Sequence, residues 1–175
     1  MENWAYAELN RACRFKDKSK VPTLGPWAMA LSEVINGAQI NRTDVEKFDQ
    51  WKQQDLWRGG GMTAKEIKQY SDMAGKKGED DYINLFGYTS CSLDKGVAIS
   101  FAWNNQKTGH SKVLFQIKWK QETAAYFLDA GAYDYEEEIL IMDGTVLFVD
   151  SVEEIKNDDG LLLYTLITLR TTKAV

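Results

Sequence analysis

From Tyr82 onward the chain has a period of two, and before it the period is that of a helix. Val113, Phe115, Ile117 and Trp119 recur at every second residue, the spacing of a half-buried strand, because successive strand side chains point to opposite faces. Strand-like runs also occupy 83–89, 124–128, 138–142, 145–149 and 161–170, which predicts at least five strands. Upstream, Trp27, Leu31, Val34, Ile35 and Ala38 fall at helical spacing, with Pro26 set as a helix start. Thr43 and Glu46 form a capping-box pair ahead of Val45, Phe48 and Trp51, and Thr63 and Glu66 form another ahead of Ile67, Tyr70 and Ala74. Residues 75–81 read as a loop and 93–104 as a helix between two strands. Trp27, Phe48 and Trp51 are expected in the core. With no regular βαβ alternation, a doubly wound parallel sheet is disfavoured. The expected class is α+β: N-terminal helices followed by a mainly antiparallel two-sheet β-sandwich.

At 175 residues the simplest organisation is one domain over 1–175, with a helical part at 1–55 and a β core at 56–175. A formal net charge of -5 argues against a chain built to grip phosphate backbones, so no nucleic-acid partner is expected. Cys13 and Cys91 stand 78 positions apart and His110 is the one histidine, so no zinc-ligand spacing exists and no metal is expected. Two cysteines in a chain of this size fit reduced thiols. The N-terminus lacks the basic and apolar regions of a signal peptide, and the longest apolar run, 161–167, is far too short to span a bilayer. These features predict a soluble monomer in a cytosol, its producer's or a host's, with no membrane partner.

Three short segments carry candidate chemistry. In Leu56-Trp57-Arg58-Gly59-Gly60-Gly61 an arginine enters a glycine run. Arginine suits bidentate phosphate recognition and glycine permits close approach to the backbone, although a flexible turn with a surface arginine has the same composition. In Ser90-Cys91-Ser92, Ser92 suits the cap of the next helix, whereas Ser90 has no such local role. In Tyr133-Asp134-Tyr135-Glu136-Glu137-Glu138-Ile139-Leu140-Ile141, three carboxylates run into a β-prone segment. On a strand Glu136 and Glu138 share a face, roughly 6.5–7 Å apart, and Glu137 takes the other. A charged edge that discourages strand pairing accounts for the triplet equally well when it is taken alone.

In this order the three segments resemble the arginine–serine–glutamate class of mono-ADP-ribosyltransferases, which includes clostridial binary actin-modifying toxins and vertebrate ecto-ADP-ribosyltransferases. The resemblance runs from about Leu56 to Val149. Trp57-Arg58-Gly59 looks like the aromatic-Arg-Gly motif of the first core strand. Ser90-Cys91-Ser92 looks like Ser-Thr-Ser, with Cys91 in place of Thr. Glu136-Glu137-Glu138 looks like Glu-x-Glu with its hydrophobic tail. Phe101 falls where the family sets an aromatic beside nicotinamide. Where some toxin members carry a second phosphate-binding arginine this chain has Asn104, with Lys107 the nearby cation. The first 50 residues resemble the helical cap that precedes the family's NAD-binding core.

The resemblance implies NAD as co-substrate and a protein arginine as acceptor. Nicotinamide leaves the ribose as a neutral ring while C1 takes on oxocarbenium character, so the site needs fixed negative charge rather than a general acid. Glu138 is then the residue that hydrogen-bonds the ribose 2′-OH, held by Ser90. Arg58 binds the phosphates, the Gly59 backbone meets the nicotinamide amide, Ser92 lies in the NAD site, and Phe101 packs on the ring. Glu136 orients and helps deprotonate the acceptor guanidinium, and Tyr133 is presented to the target protein. The alternatives are an NAD glycohydrolase, in which water replaces the acceptor, and a non-catalytic module of the same fold. An inverting glycosidase using Glu136 and Glu138 is disfavoured, since same-face neighbours on one strand cannot bracket a bond.

Overall fold

The computed structural model describes residues 4–40, 54–76, 82–104, 107–119, 125–127 and 138–171. Two helices come first, α1 (Trp4–Phe15) and α2 (Val21–Ile40), separated by a short 3₁₀ turn at Lys18–Lys20. Strand β1 (Leu56–Met62) leads into α3 (Ala64–Met73); β2 (Ile83–Asn84) and β3 (Thr89–Ser92) precede α4 (Lys95–Asn104). The remaining strands are β4 (Ser111–Lys118), β5 (Ala125–Phe127), β6 (Glu138–Ile141), β7 (Val146–Lys156) and β8 (Leu162–Arg170). Helices α1 and α2 precede the strands as the periodicity predicts, but β1 comes ahead of α3, where the periodicity gives no strand and only the resemblance does.

Several boundaries differ from the expectation, each for a physical reason. The helix expected to start at Pro26 starts at Val21, so Pro22 occupies the first turn, where a missing N–H costs nothing, and Pro26 lies inside the helix. Helix α1 lies ahead of it, with Leu9 buried and Cys13 half-buried one turn on. Trp27, expected in the core, is 68% exposed. The single β run expected at 83–89 is two strands, broken at Gly87, whose φ of 94° is one that side chains other than glycine's rarely adopt. At Thr63 the capping box forms as predicted: the hydroxyl accepts from the Glu66 N–H, and the Glu66 carboxylate accepts from the Thr63 N–H at 2.7 Å. The pair expected at Thr43 and Glu46, and Phe48 and Trp51 with it, lie outside the described residues.

The strands pair in the order β2-β7-β8-β4-β1-β3-β6-β5. All pairings are antiparallel except β4 with β8. The two separate sheets of the expected sandwich are therefore not seen; the strands form one continuous order. Its weakest junction is β1 with β3, a single register pair, Trp57 with Ser92, so β3, β6 and β5 hang from the rest by one bridge.

Alternation along β3 and β6 divides the interior in two. Cys91, Ile139 and Ile141 point into the main core with Leu56, Ile117 and Ile167, which α3 covers through Ile67 and Tyr70. Leu140, of opposite parity, packs instead with Tyr88, Leu9 of α1 and Ile35 of α2. The Tyr88 hydroxyl donates to the Ala28 carbonyl at 2.7 Å and lies 2.8 Å from the Ser32 hydroxyl, tying α2 to the sheet. Ser90 and Ser92 register with Leu140 and Glu138, so these four side chains share the face that looks toward the N-terminal helices.

Candidate functional site

On that face lies a cavity of about 370 Å3. Its lining includes Arg58, Gly59, Ser90, Ser92, Phe101 and Glu138, six of the eight residues singled out in the sequence, drawn from β1, β3, α4 and β6. The other two, Glu136 and Tyr133, lie outside the described residues, as do Glu137 and Tyr135.

Each element has a local reason for its place. Helix α4 lies directly on β1 at Gly59, where a Cβ would stand 1.8 Å from the Ala98 carbonyl oxygen and 2.7 Å from the Ala102 nitrogen. Ala98 and Ala102 are the buried residues of that helix. The smallest side chains on both partners therefore set the helix against the strand, and Phe101 is left 47% exposed on the cavity side rather than packed in the core. The Ser92 hydroxyl accepts from the Asp94 N–H at 2.9 Å and so stabilises the turn that launches α4, but the cap expected at Ser92 is Asp94, whose Oδ1 accepts from the Gly96 N–H at 2.6 Å. Arg58 donates through Nη1 to the Ser90 carbonyl at 2.5 Å, which fixes the guanidinium across the weak β1–β3 junction.

Glu138 is half-buried at the start of β6, directly across from Ser92, and Ser90 lies one pair further along, opposite Leu140. Among the described residues the Glu138 carboxylate makes no hydrogen bond or ion pair, so its acceptor capacity is open to the cavity. Behind it, burial pushes the Cys91 thiol up to about 12; Arg58 opposes the shift and Glu138 adds to it. Cys91 is thus an inert core thiol.

Helix α1 also contributes to the lining, which the sequence did not indicate. Asn10 and Arg14, one helical turn apart on α1, both line the cavity. Asn10 is 5% exposed and its Oδ1 is buried without a hydrogen-bond partner. A buried amide oxygen left unmatched is destabilising by about 1–3 kcal/mol; this one lies against Gly87, where an added Cβ would stand 2.7 Å from it. The available signal was position: Asn10 adjoins Leu9 on the inward face of α1, where a polar residue needs a reason. Arg14 supplies a second guanidinium to the cavity. Asn104 and Lys107 are both exposed and neither lines it. His110 is half-buried with Nδ1 3.2 Å from the Thr108 carbonyl, outside the cavity.

The cavity thus combines two guanidiniums, one carboxylate, two serine hydroxyls and an exposed aromatic ring. Its volume is within the roughly 300–1,000 Å3 of small-molecule sites. A dianionic ligand with a polar, hydroxylated middle and a flat ring fits this donor set. Among the described residues no cluster of three or more metal-ligating side chains occurs.

No protein-family profile matches the sequence, and no curated relative matches it. Solved structures do resemble the fold. ADP-ribosyltransferase Vis of Vibrio splendidus, determined in complex with agmatine, superposes with a TM-score of 0.63 at 18% identity, covering 99% of this chain and 71% of its own. C3larvin toxin, an ADP-ribosyltransferase from Paenibacillus larvae, gives 0.53 at 14% identity over 94% and 86%. Exoenzyme S of Pseudomonas aeruginosa, bound to carba-NAD and human 14-3-3 protein beta, gives 0.51 at 19% identity over 95% and 67%. The chain has the α+β fold of these ADP-ribosyltransferases.

Proposed function

We propose that this chain is a single catalytic domain that transfers ADP-ribose from NAD to a protein arginine and releases nicotinamide. The observation that carries the reading is the convergence of Arg58, Ser90, Phe101 and Glu138 on one cavity, from sequence positions 80 residues apart at the extremes. Arg58 and Arg14 are suited to the pyrophosphate, as paired guanidiniums facing a dianion. Phe101 offers a face to the nicotinamide ring, and the Gly59 backbone borders the same space. Glu138 holds negative charge beside the ribose as the glycosidic bond breaks, and Ser92 and Ser90 lie on its face of the sheet to orient it. The reaction needs no metal.

The choice of arginine rests on Glu136, two residues before Glu138, as the group that orients and helps deprotonate a guanidinium. That Vis binds agmatine, a small guanidino compound, supports this choice, and carba-NAD in exoenzyme S supports NAD as co-substrate. The enzyme would act as a monomer in a cytosol, its producer's or a host's, on a target approached by Tyr133.

The test is incubation of labelled NAD with a cell extract and wild type, Glu138→Gln, Glu136→Gln or Glu137→Gln enzyme. Glu138→Gln is expected to lose nicotinamide release and transfer together. Glu136→Gln is expected to lose transfer and keep hydrolysis, and Glu137→Gln to keep both. Undiminished activity in Glu138→Gln overturns the assignment. Nicotinamide release with no labelled protein in wild type makes the chain an NAD glycohydrolase, and label that survives hydroxylamine removes arginine as the acceptor.

A further inference from the structure

Helix α2 carries one charged side chain, Glu33, in its 20 residues, yet much of it is uncovered. A helix apolar on all sides is ordinarily enclosed. Here Leu24, Ala28 and Ile35 turn inward, while Val21, Met29, Trp27 and Val34 stand exposed on the two flanks, Trp27 at 68%. Phe15, at the end of α1, is 76% exposed. Between α1 and α2 runs a shallow groove of about 250 Å3, floored by Cys13, Leu24 and Ala28 and rimmed by Lys16, Lys18 and Lys20. Arg11 to Lys20 holds five cations against one carboxylate, Asp17, in a chain whose net charge is -5. Among the described residues none of the three lysines is in an ion pair; Lys16 lies 4.7 Å over the Phe86 ring.

We infer that the α1–α2 face is a peripheral docking surface for a bilayer bearing anionic headgroups, with Lys16, Lys18 and Lys20 on the phosphates and Phe15, Val21 and Trp27 in the interfacial layer. Charge complementarity selects this occupant: basic residues at the end of an apolar, tryptophan-bearing helix are the composition of an interfacial segment. A folded protein partner would need fixed polar contacts to set its register, roughly one hydrogen bond per 100–200 Å2. Among the described side chains of helix α2, Thr23 already donates to the Lys20 carbonyl and Ser32 is engaged with Tyr88, which leaves Glu33. A fluid bilayer requires none. No described helix is long and apolar enough to cross a membrane. The surface therefore lies on the bilayer, which departs from the expectation of no membrane partner, an expectation drawn from spanning length alone. The inference is independent of the transferase reading, because none of these side chains lines the larger cavity.

The experiment is co-sedimentation of the full chain with vesicles of phosphatidylcholine alone or with added phosphatidylserine, at low and high salt. Wild type is expected to sediment with the anionic vesicles, less so as salt rises, and not with the neutral ones. Lys16→Gln/Lys18→Gln/Lys20→Gln should lower partitioning about a hundredfold, as three basic residues near such a surface predict. Trp27→Ala should lower it with the charge intact, and Lys65→Gln/Lys76→Gln, which removes charge elsewhere, should leave it unchanged. Circular dichroism melting checks that each variant folds. No binding to anionic vesicles at low salt, or full binding by the triple variant, overturns the inference. So does a wild-type dimer in sedimentation velocity that Trp27→Ala dissociates, which would place a second copy on this face.

Discussion

Gly59 and Gly60 are neighbours in one strand and should respond oppositely to alanine. At Gly59 the new Cβ would stand 1.8 Å from the Ala98 carbonyl oxygen, 2.7 Å from the Ala102 nitrogen and 2.9 Å from the Ala98 carbonyl carbon. All three are backbone atoms of α4, so no side chain can swing away and the helix itself must move. Overpacking typically costs 1–3 kcal/mol where side chains absorb it, and a backbone clash of this depth belongs at about 3 kcal/mol or beyond. At 175 residues that is a fall in Tm of roughly 6–12 °C. At Gly60 nothing lies within 4 Å of the added methyl, and the backbone is not in the left-handed region. Gly60→Ala should be neutral or gain about 0.4–1 kcal/mol by restricting the unfolded chain. The assay is urea or thermal unfolding of both variants beside wild type, with nicotinamide release measured at several NAD concentrations. Gly59→Ala should lose stability and activity together, because lifting α4 carries Phe101 away from the cavity. If Gly59→Ala unfolded with wild-type stability and only KM rose, the residue would be there for its contact with NAD, and the packing argument would be wrong.

Asn10→Ala should leave stability within about 1 kcal/mol of wild type, since its buried Oδ1 has no protein hydrogen bond to lose; a loss of about 3 kcal/mol or more in denaturant unfolding would show that the amide oxygen is paired. Arg58→Lys keeps the charge but loses the planar fork and its bond to the Ser90 carbonyl, so KM for NAD should rise about tenfold or more, read by titration of NAD in the nicotinamide-release assay. The Cys91 thiol, raised by burial from 9.0 to about 12, stays neutral in the folded chain but ionises near its ordinary value once unfolded. Above pH 9 the unfolded state therefore loses a proton that the folded state retains, and stability should fall by up to about 1.4 kcal/mol per pH unit until the folded thiol ionises too. Denaturant unfolding across pH 8–11 checks this, and Cys91→Ala should show a shallower alkaline slope; an identical slope would place the loss in other groups, such as the buried Tyr70, whose hydroxyl burial also raises.

What could be read in advance was whatever depended on local rules. The Thr63 capping box and the helix after Ser92 are decided within a few residues of themselves, and they stand as predicted, whereas β4 and β6 bury consecutive residues instead of alternating ones. What could not be read depended on partners distant in the chain. Trp27 has the spacing of a core residue, but whether a core residue finds a core is decided by what packs against α2. Asn10 looks like an ordinary polar residue of an amphipathic helix until α1 is laid over β3 and β6. The division into two sheets was lost for the same reason, since whether β1 and β3 join depends on one bridge between residues 35 positions apart, Trp57 and Ser92.

That bridge also changes how the serines are to be understood. Resemblance assigns Ser90 to the Glu138 carboxylate, yet the residue across from Glu138 is Ser92, and Ser92 is also the residue across from Trp57. Ser92 therefore sits in a row of three strands, between the one that carries the arginine and the one that carries the glutamate, and its hydroxyl starts the helix that carries Phe101. Ser90 contributes its carbonyl, which holds the Arg58 guanidinium, and leaves its hydroxyl to the cavity. Both serines line the cavity, and they differ in what they hold: Ser92 the turn into α4, and Ser90 the arginine. Cys91 between them points the other way, into the core, where a small apolar side chain is sufficient and threonine's hydroxyl would need a partner. The one departure from the Ser-Thr-Ser pattern falls at a residue that borders the cavity but whose side chain belongs to the core.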